Sequence, residues 1–160
     1  MSEEVLSCLL GRIPSMLPRV VLKNHSRHPV RHRVYPGVIP STSTSSSSSS
    51  EVEGVLLFDL SPLEMKLLDY FEEEGIDYKR TDVQVQIPPD VDTLSIQSIL
   101  TENTDNDGSL ETQAYIWCKH ISTLDLTKDW DYANFRQQHL DWYLSSTVKP
   151  CRVEAENAML

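Results

Sequence analysis

The pattern of hydrophobic and polar positions begins with a short amphipathic helix over residues 2–10. Ser2 can cap this helix, and the acidic side chains of Glu3 and Glu4 occupy its first turn, where the helix dipole favours them. Gly11 supplies a stop signal. The apolar positions repeat with helical spacing, which places them on one face: Val5, Leu6, Leu9 and Leu10.

Alternating and continuous apolar runs in the centre of the chain predict strands. Period-two alternation marks residues 19–40, 78–87 and 112–119, and a nearly continuous apolar run marks residues 52–60. The first of these regions contains three prolines, which restrict its strands to short or edge pieces.

Two more helices are predicted from capping signals and apolar spacing. Ser61, Pro62 and Glu64 together form a capping box with proline at the first helical position. We expect that helix to end in the acidic run at 72–74 and to be broken by Gly75, with Leu63, Leu67, Leu68 and Phe71 as its buried stripe. A last helix is predicted over residues 132–145.

The remaining segments set the domain layout. The serine-rich residues 41–50 and the acidic residues 90–111 predict two flexible loops, and residues 149–160 predict a disordered tail. We therefore expect one domain over residues 1–148. Its order of elements favours an α+β fold, with a small mixed or closed sheet and helices packed outside.

Charge and composition argue against several classes of binding partner and of cellular location. The formal net charge of the 160 residues is -10, and only residues 1–40 are net positive. Phosphate recognition needs clustered Lys and Arg, so we expect no nucleic-acid or anionic-membrane binding. Three scattered cysteines imply no disulfide framework, and no apolar run is long enough for a membrane span. We also expect no signal peptide. By elimination, these features predict a soluble cytosolic or nuclear protein, and we prefer the cytoplasm.

Histidines and basic residues offer weak chemical signals. His25, His28 and His32 have a metal-like spacing, but a strand would point His25 and His28 to opposite faces. No carboxylate or cysteine lies close in sequence to complete a zinc site. We therefore interpret the basic residues 23–33 as a solvated strand face, and we expect no metal and no cofactor.

The carboxylates at the end of the second predicted helix are a stronger candidate. Glu72 follows Phe71 and lies four residues after Leu68, at the edge of the predicted buried stripe. Partial desolvation of a carboxylate raises its pKa toward the range useful for general acid-base catalysis. On composition alone, three glutamates before a glycine are more typical of a solvated helix end.

Several motifs occur in an order that resembles a known family. They are EVLSCLLGRIP at 4–14, RVYPGVIP at 33–40, VEGVLL at 52–57, LLDYFE at 67–72, YKR at 78–80, AYIW at 114–117 and DWDY at 129–132. Together, over residues 1–148, they resemble the gamma-glutamylcyclotransferase-like superfamily, most closely its plant branch of avirulence-induced-gene-like proteins.

This resemblance implies a fold, a reaction and a catalytic residue. It implies a small mixed closed β-barrel with flanking helices. It also implies an acyltransferase-class reaction, in which a small gamma-glutamyl substrate cyclises to 5-oxoproline and releases an amine or amino acid. No metal or organic cofactor takes part. The family's proton-shuttling glutamate matches Glu72, and Glu73 and Glu74 stay open as alternatives.

The same resemblance leaves alternatives open. The family begins with a strand and a Tyr-Gly-Ser/Thr-Leu loop that holds the substrate, and we expect both to be missing from the chain, which starts after them. The alternatives to an enzyme are a non-catalytic stress- or defence-associated binding protein that keeps the fold, or an inactive truncated isoform.

Overall fold

The first helix forms as predicted. A computed structural model of the chain describes residues 1–41, 50–91, 93 and 108–159. Helix α1, Glu3–Leu10, is capped by Ser2, whose hydroxyl accepts a hydrogen bond from the backbone N–H of Val5 at 3.4 Å. Gly11 ends it with φ +79°, a left-handed conformation that suits glycine.

Six strands form one four-stranded sheet and one hairpin among the described residues. They are β1 Ser15–Lys23, β2 His25–Pro29, β3 Pro36–Pro40, β4 Glu51–Phe58, β5 Tyr78–Gln86 and β6 Ser109–Trp117. The sheet has the order β4-β1-β5-β6, and β2 pairs with β3. Every ladder is antiparallel, where we expected a mixed sheet.

The closed barrel is not seen among the described strands, although the α+β class is confirmed. The hairpin lies beside both outer strands of the sheet, with β2 near β4 and β3 near β6, but no ladder joins them there. Gly37 allows β3 to approach β6, since a Cβ at this position would lie 2.9 Å from side-chain atoms of both Trp117 and Leu124. Barrel closure stays a prediction.

A turn replaces the strand that alternation predicted near residues 30–34. The backbone N–H of Val30 donates to the carbonyl of Tyr35 at 3.2 Å, and His32 has φ +62°. The left-handed conformation of His32 interrupts regular strand geometry, and the chain reverses here before it starts β3.

Helix α2, Pro62–Phe71, begins at the predicted capping box but buries a different set of residues. Leu67 and Leu68 are buried, whereas Leu63 is 57% exposed and so was wrongly predicted as core. Glu64 is buried instead. Arg12 donates to its two carboxylate oxygens at 2.6 and 2.8 Å, which supplies the partner that a buried charge requires.

The C-terminal residues form helices rather than the predicted disordered tail. Helices α3, Tyr132–Gln138, and α4, Leu140–Tyr143, are followed by a π-helical turn, Leu144–Val148, and by helix α5, Lys149–Ala158. Val148 and Ala155 are 0% exposed and belong to the same core as α1 and α2. The prediction failed because residues 149–159 have a polar composition, and Ala155 is their only buried residue.

The helical core covers one end of the sheet and includes the end of α2. Its buried members come from all the helices: Val5, Leu6, Leu9, Leu10, Leu67, Leu68, Phe135, Leu140, Tyr143, Val148 and Ala155. No helix in the described part of the chain is long and apolar enough to cross a membrane. Most of the two predicted loops, at 41–50 and 90–111, lies outside the described residues.

Candidate functional site

The C-terminal end of α2 determines where Glu72 lies. Glu72 caps the helix, and the next two backbone N–H groups fold back onto it: Glu73 donates to Tyr70 at 3.2 Å and Glu74 to Asp69 at 2.9 Å. This is the Schellman arrangement. Its left-handed residue is Glu73, with φ +48°, and not Gly75, where we predicted the helix to be broken.

The Schellman turn separates the three glutamates. Glu73 and Glu74 are exposed, whereas Glu72 is partly buried and follows Phe71 at the edge of the helical core. Among the described residues, the Glu72 carboxylate makes no hydrogen bond. The predicted alternatives thus have different environments, and only Glu72 has a carboxyl group removed from bulk solvent.

Burial raises the pKa of the Glu72 carboxyl from 4.5 to about 7, and the ammonium group of Met1 opposes this shift. Four other groups interact electrostatically with the same carboxylate. They are the hydroxyls of Tyr78, Tyr115 and Tyr143 and the thiol of Cys151. At neutral pH such a carboxyl group can both accept and return a proton.

Two of these tyrosines donate their hydroxyl protons elsewhere. The hydroxyl of Tyr78 donates to the carbonyl of Pro36 at 2.6 Å, and that of Tyr115 donates to Oδ1 of Asp69 at 2.7 Å. Arg80 also lies 3.3 Å from the same Asp69 oxygen. The two contacts to Asp69 join the last turn of α2 to β5 and β6, so they hold the helix end that carries Glu72.

Tyr143 reaches the site from the C-terminal helices. It is 8% exposed and packs edge-on against Phe71, with ring centroids 6.3 Å apart, and against Phe135 at 5.5 Å. Tyr35 lies 6.5 Å away on another side. Burial raises the pKa of Tyr143, which keeps its hydroxyl neutral. The sequence carries no local signal that links Tyr143 to Glu72.

Charged groups lie near the hydroxyl of Tyr35. Burial raises the pKa of Tyr35, and Arg33, Asp77, Glu73 and Lys119 interact electrostatically with its hydroxyl. Asp77 is buried and forms an ion pair with Lys119.

The histidines of the basic segment bind main-chain and hydroxyl groups. His28 lies 3.0 Å from the carbonyl of Lys128 and 2.9 Å from the hydroxyl of Ser26, and His25 lies 2.8 Å from the carbonyl of Lys23. Within the described ranges, no group of three or more His, Cys, Asp or Glu residues could hold a metal ion.

A shallow open groove of about 480 Å³ lies away from Glu72, over α1. Its lining comes from both ends of the chain and from the loop after α1: Glu3, Glu4, Ser7, Cys8, Ile13 and Lys149.

Comparison with known proteins identifies relatives over most of the chain. The model of the family described as "Gamma-glutamyl cyclotransferase, AIG2-like" matches residues 2–133. AIG2-like protein D of Arabidopsis thaliana is 31% identical over 147 residues, which cover 92% of this chain and 80% of that protein. AIG2-like protein C of the same plant is 28% identical over 146 residues, covering 91% and 70%.

A solved structure supports the fold. The solution structure of an Arabidopsis thaliana protein superimposes with a TM-score of 0.54 and 21% identity, covering 96% of this chain and 85% of that one. This likeness supports the α+β fold of the chain.

Proposed function

The chain belongs to the gamma-glutamyl cyclotransferase, AIG2-like family, and from this premise we propose that it cyclises a gamma-glutamyl group to 5-oxoproline. The substrate's α-amine attacks its own γ-carbonyl carbon and forms the ring C–N bond. The bond between that carbon and the leaving nitrogen breaks. An amine or amino acid leaves, and no oxidant or reductant is needed.

In this proposal Glu72 moves the proton. The α-amine is inert while protonated, so the Glu72 carboxylate first accepts a proton from the α-ammonium. The leaving nitrogen departs poorly as an anion, so the resulting carboxylic acid then donates that proton to it. The ring nitrogen loses its second excess proton to solvent, which leaves the neutral lactam N–H of 5-oxoproline. Positioned acid-base catalysis of this kind typically contributes about 10²–10⁴-fold to the rate.

The observation that carries the proposal is the environment of Glu72. Its pKa of about 7 suits a group that must be ionised to accept a proton and must then return it near neutral pH. The exposed Glu73 and Glu74 have no such burial, which supports Glu72 among the three. A small gamma-glutamyl compound is the proposed substrate, and the cytoplasm is the proposed location.

The test is the release of 5-oxoproline from three gamma-glutamyl compounds. Glutathione, γ-glutamylalanine and a γ-glutamyl amine sample the three substrate classes that the resemblance implies. We expect at least one to yield 5-oxoproline, Glu72→Gln to lower the rate at least 100-fold, and the exposed Glu74→Gln to leave it unchanged.

Two results would contradict the proposal. If none of the compounds yields 5-oxoproline, the enzymatic proposal is wrong and the binding-protein alternative gains. If Glu74→Gln lowers the rate and Glu72→Gln does not, the reaction is right but Glu72 is the wrong residue.

A further inference from the structure

Two of the three tyrosine hydroxyls that interact with Glu72 are already committed as donors. The proton of Tyr78 is donated to the carbonyl of Pro36, and that of Tyr115 to Asp69. The hydroxyl of Tyr143 makes no hydrogen bond within the described part of the chain. It is therefore the hydroxyl of this set with a proton left to donate.

The packing of Tyr143 directs it toward the site rather than into the core alone. Its ring is fixed by edge-on contacts with Phe71, the residue before Glu72, and with Phe135. Its oxygen is not among the buried side-chain oxygens that lack a partner and any contact with solvent. The hydroxyl of Tyr143 therefore keeps some contact with solvent and interacts electrostatically with the Glu72 carboxylate, while the ring is held in place.

A tyrosine whose hydroxyl meets solvent, and not another described residue, leaves the place opposite that hydroxyl open to a ligand. Here that place adjoins a carboxylate which also makes no hydrogen bond within the described residues. The two groups have complementary roles toward one small polar ligand, since the carboxylate accepts and the hydroxyl donates.

We propose that Tyr143 is a substrate-binding residue of the Glu72 site, and that its hydroxyl donates a hydrogen bond to the gamma-glutamyl substrate. This inference rests on the proposed function. Tyr143 lies outside residues 2–133, which match the family. The C-terminal helices, beyond their packing role, therefore complete the site.

The test compares Tyr143→Phe with the wild-type chain. Phenylalanine keeps the ring and its contacts, and the hydroxyl makes no hydrogen bond to the residues that the structure describes, so we expect an unchanged thermal midpoint. Loss of one hydrogen bond to the substrate is expected to lower kcat/KM for 5-oxoproline release about tenfold. Tyr132→Phe is the matched control, because Tyr132 is 37% exposed and lies at the start of the same helical segment.

A binding measurement separates substrate contact from an indirect effect. Calorimetric titration with γ-glutamylalanine uses Glu72→Gln, which binds without turnover, and the double variant Glu72→Gln/Tyr143→Phe. We expect the double variant to bind about tenfold more weakly.

The outcomes distinguish this inference from the proposed function. If the wild-type enzyme releases 5-oxoproline and the kcat/KM of Tyr143→Phe lies within twofold of the wild-type value, the role of Tyr143 is wrong and the proposed function stands. If the wild-type chain releases no 5-oxoproline and the Glu72→Gln variant does not bind γ-glutamylalanine, both the role of Tyr143 and the proposed function are wrong.

Discussion

Replacing Glu72 by glutamine is expected to stabilise the fold, although it removes the proposed proton acceptor. The carboxyl pKa rises from 4.5 to about 7 on folding because the group is buried. Ionised Glu72 is therefore unfavourable in the folded state, and the neutral amide of glutamine removes this penalty. The effect of the Met1 ammonium, which opposes burial, is already contained in that pKa.

The magnitude follows from the two pKa values. One pKa unit corresponds to about 1.4 kcal/mol, so a rise from 4.5 to about 7 corresponds to at most about 3.5 kcal/mol. Below pH 4.5 the carboxyl is protonated in both states and Glu72 carries no penalty. As the pH rises toward 7, only the unfolded chain releases the proton, and the wild-type chain loses stability until the full penalty is reached.

The assay is urea unfolding of wild type, Glu72→Gln and Glu74→Gln between pH 4 and 8.5. We expect the free energy of unfolding of Glu72→Gln to exceed that of wild type by about 2–3 kcal/mol above pH 7, and the difference to disappear toward pH 4. Glu74 is exposed, so its variant should follow wild type throughout. A pH-independent difference, or a less stable Glu72→Gln at pH 8, would refute the reasoning.

Three further substitutions test the structure around the site by thermal or urea unfolding. Glu73→Gly should stabilise the chain by about 0.5–1 kcal/mol, because glycine adopts the φ of +48° without the strain of an L side chain, and destabilisation would contradict the Schellman turn. Gly37→Ala should destabilise it by about 1–3 kcal/mol, since the new methyl group would lie 2.9 Å from Trp117 and Leu124, and an unchanged stability would mean that β3 is farther from β6. Val148→Ala should destabilise it by about 2 kcal/mol through a buried cavity, whereas a disordered C-terminal segment would give no change.

Local signals predicted the elements whose causes are local. The caps at Ser2 and Ser61 are short-range hydrogen bonds, and both predicted helix starts are confirmed. The apolar run after residue 50 forms β4, an edge strand of the sheet in which Val52 and Leu56 are buried.

Tertiary contacts decided what local signals missed. Glu64 is buried in place of Leu63 because Arg12, 52 residues away, pairs with it. The C-terminal helix is fixed by Val148 and Ala155 against distant helices, a packing that its polar composition does not indicate. Glu72 was singled out by its place after Phe71 together with the family resemblance, whereas Tyr143 approaches it only through the packing of the C-terminal helices.

The pH dependence of 5-oxoproline release tests most directly whether Glu72 is the proton acceptor. For wild type we predict that kcat/KM rises with pH and levels off, with an apparent pKa near 7 for the free enzyme, because Glu72 must be ionised to accept the proton. Glu72→Gln should lose both the rate and this rise. A wild-type profile that shows no titration between pH 5.5 and 8.5, or a Glu72→Gln variant that retains the same rise, would contradict the assignment.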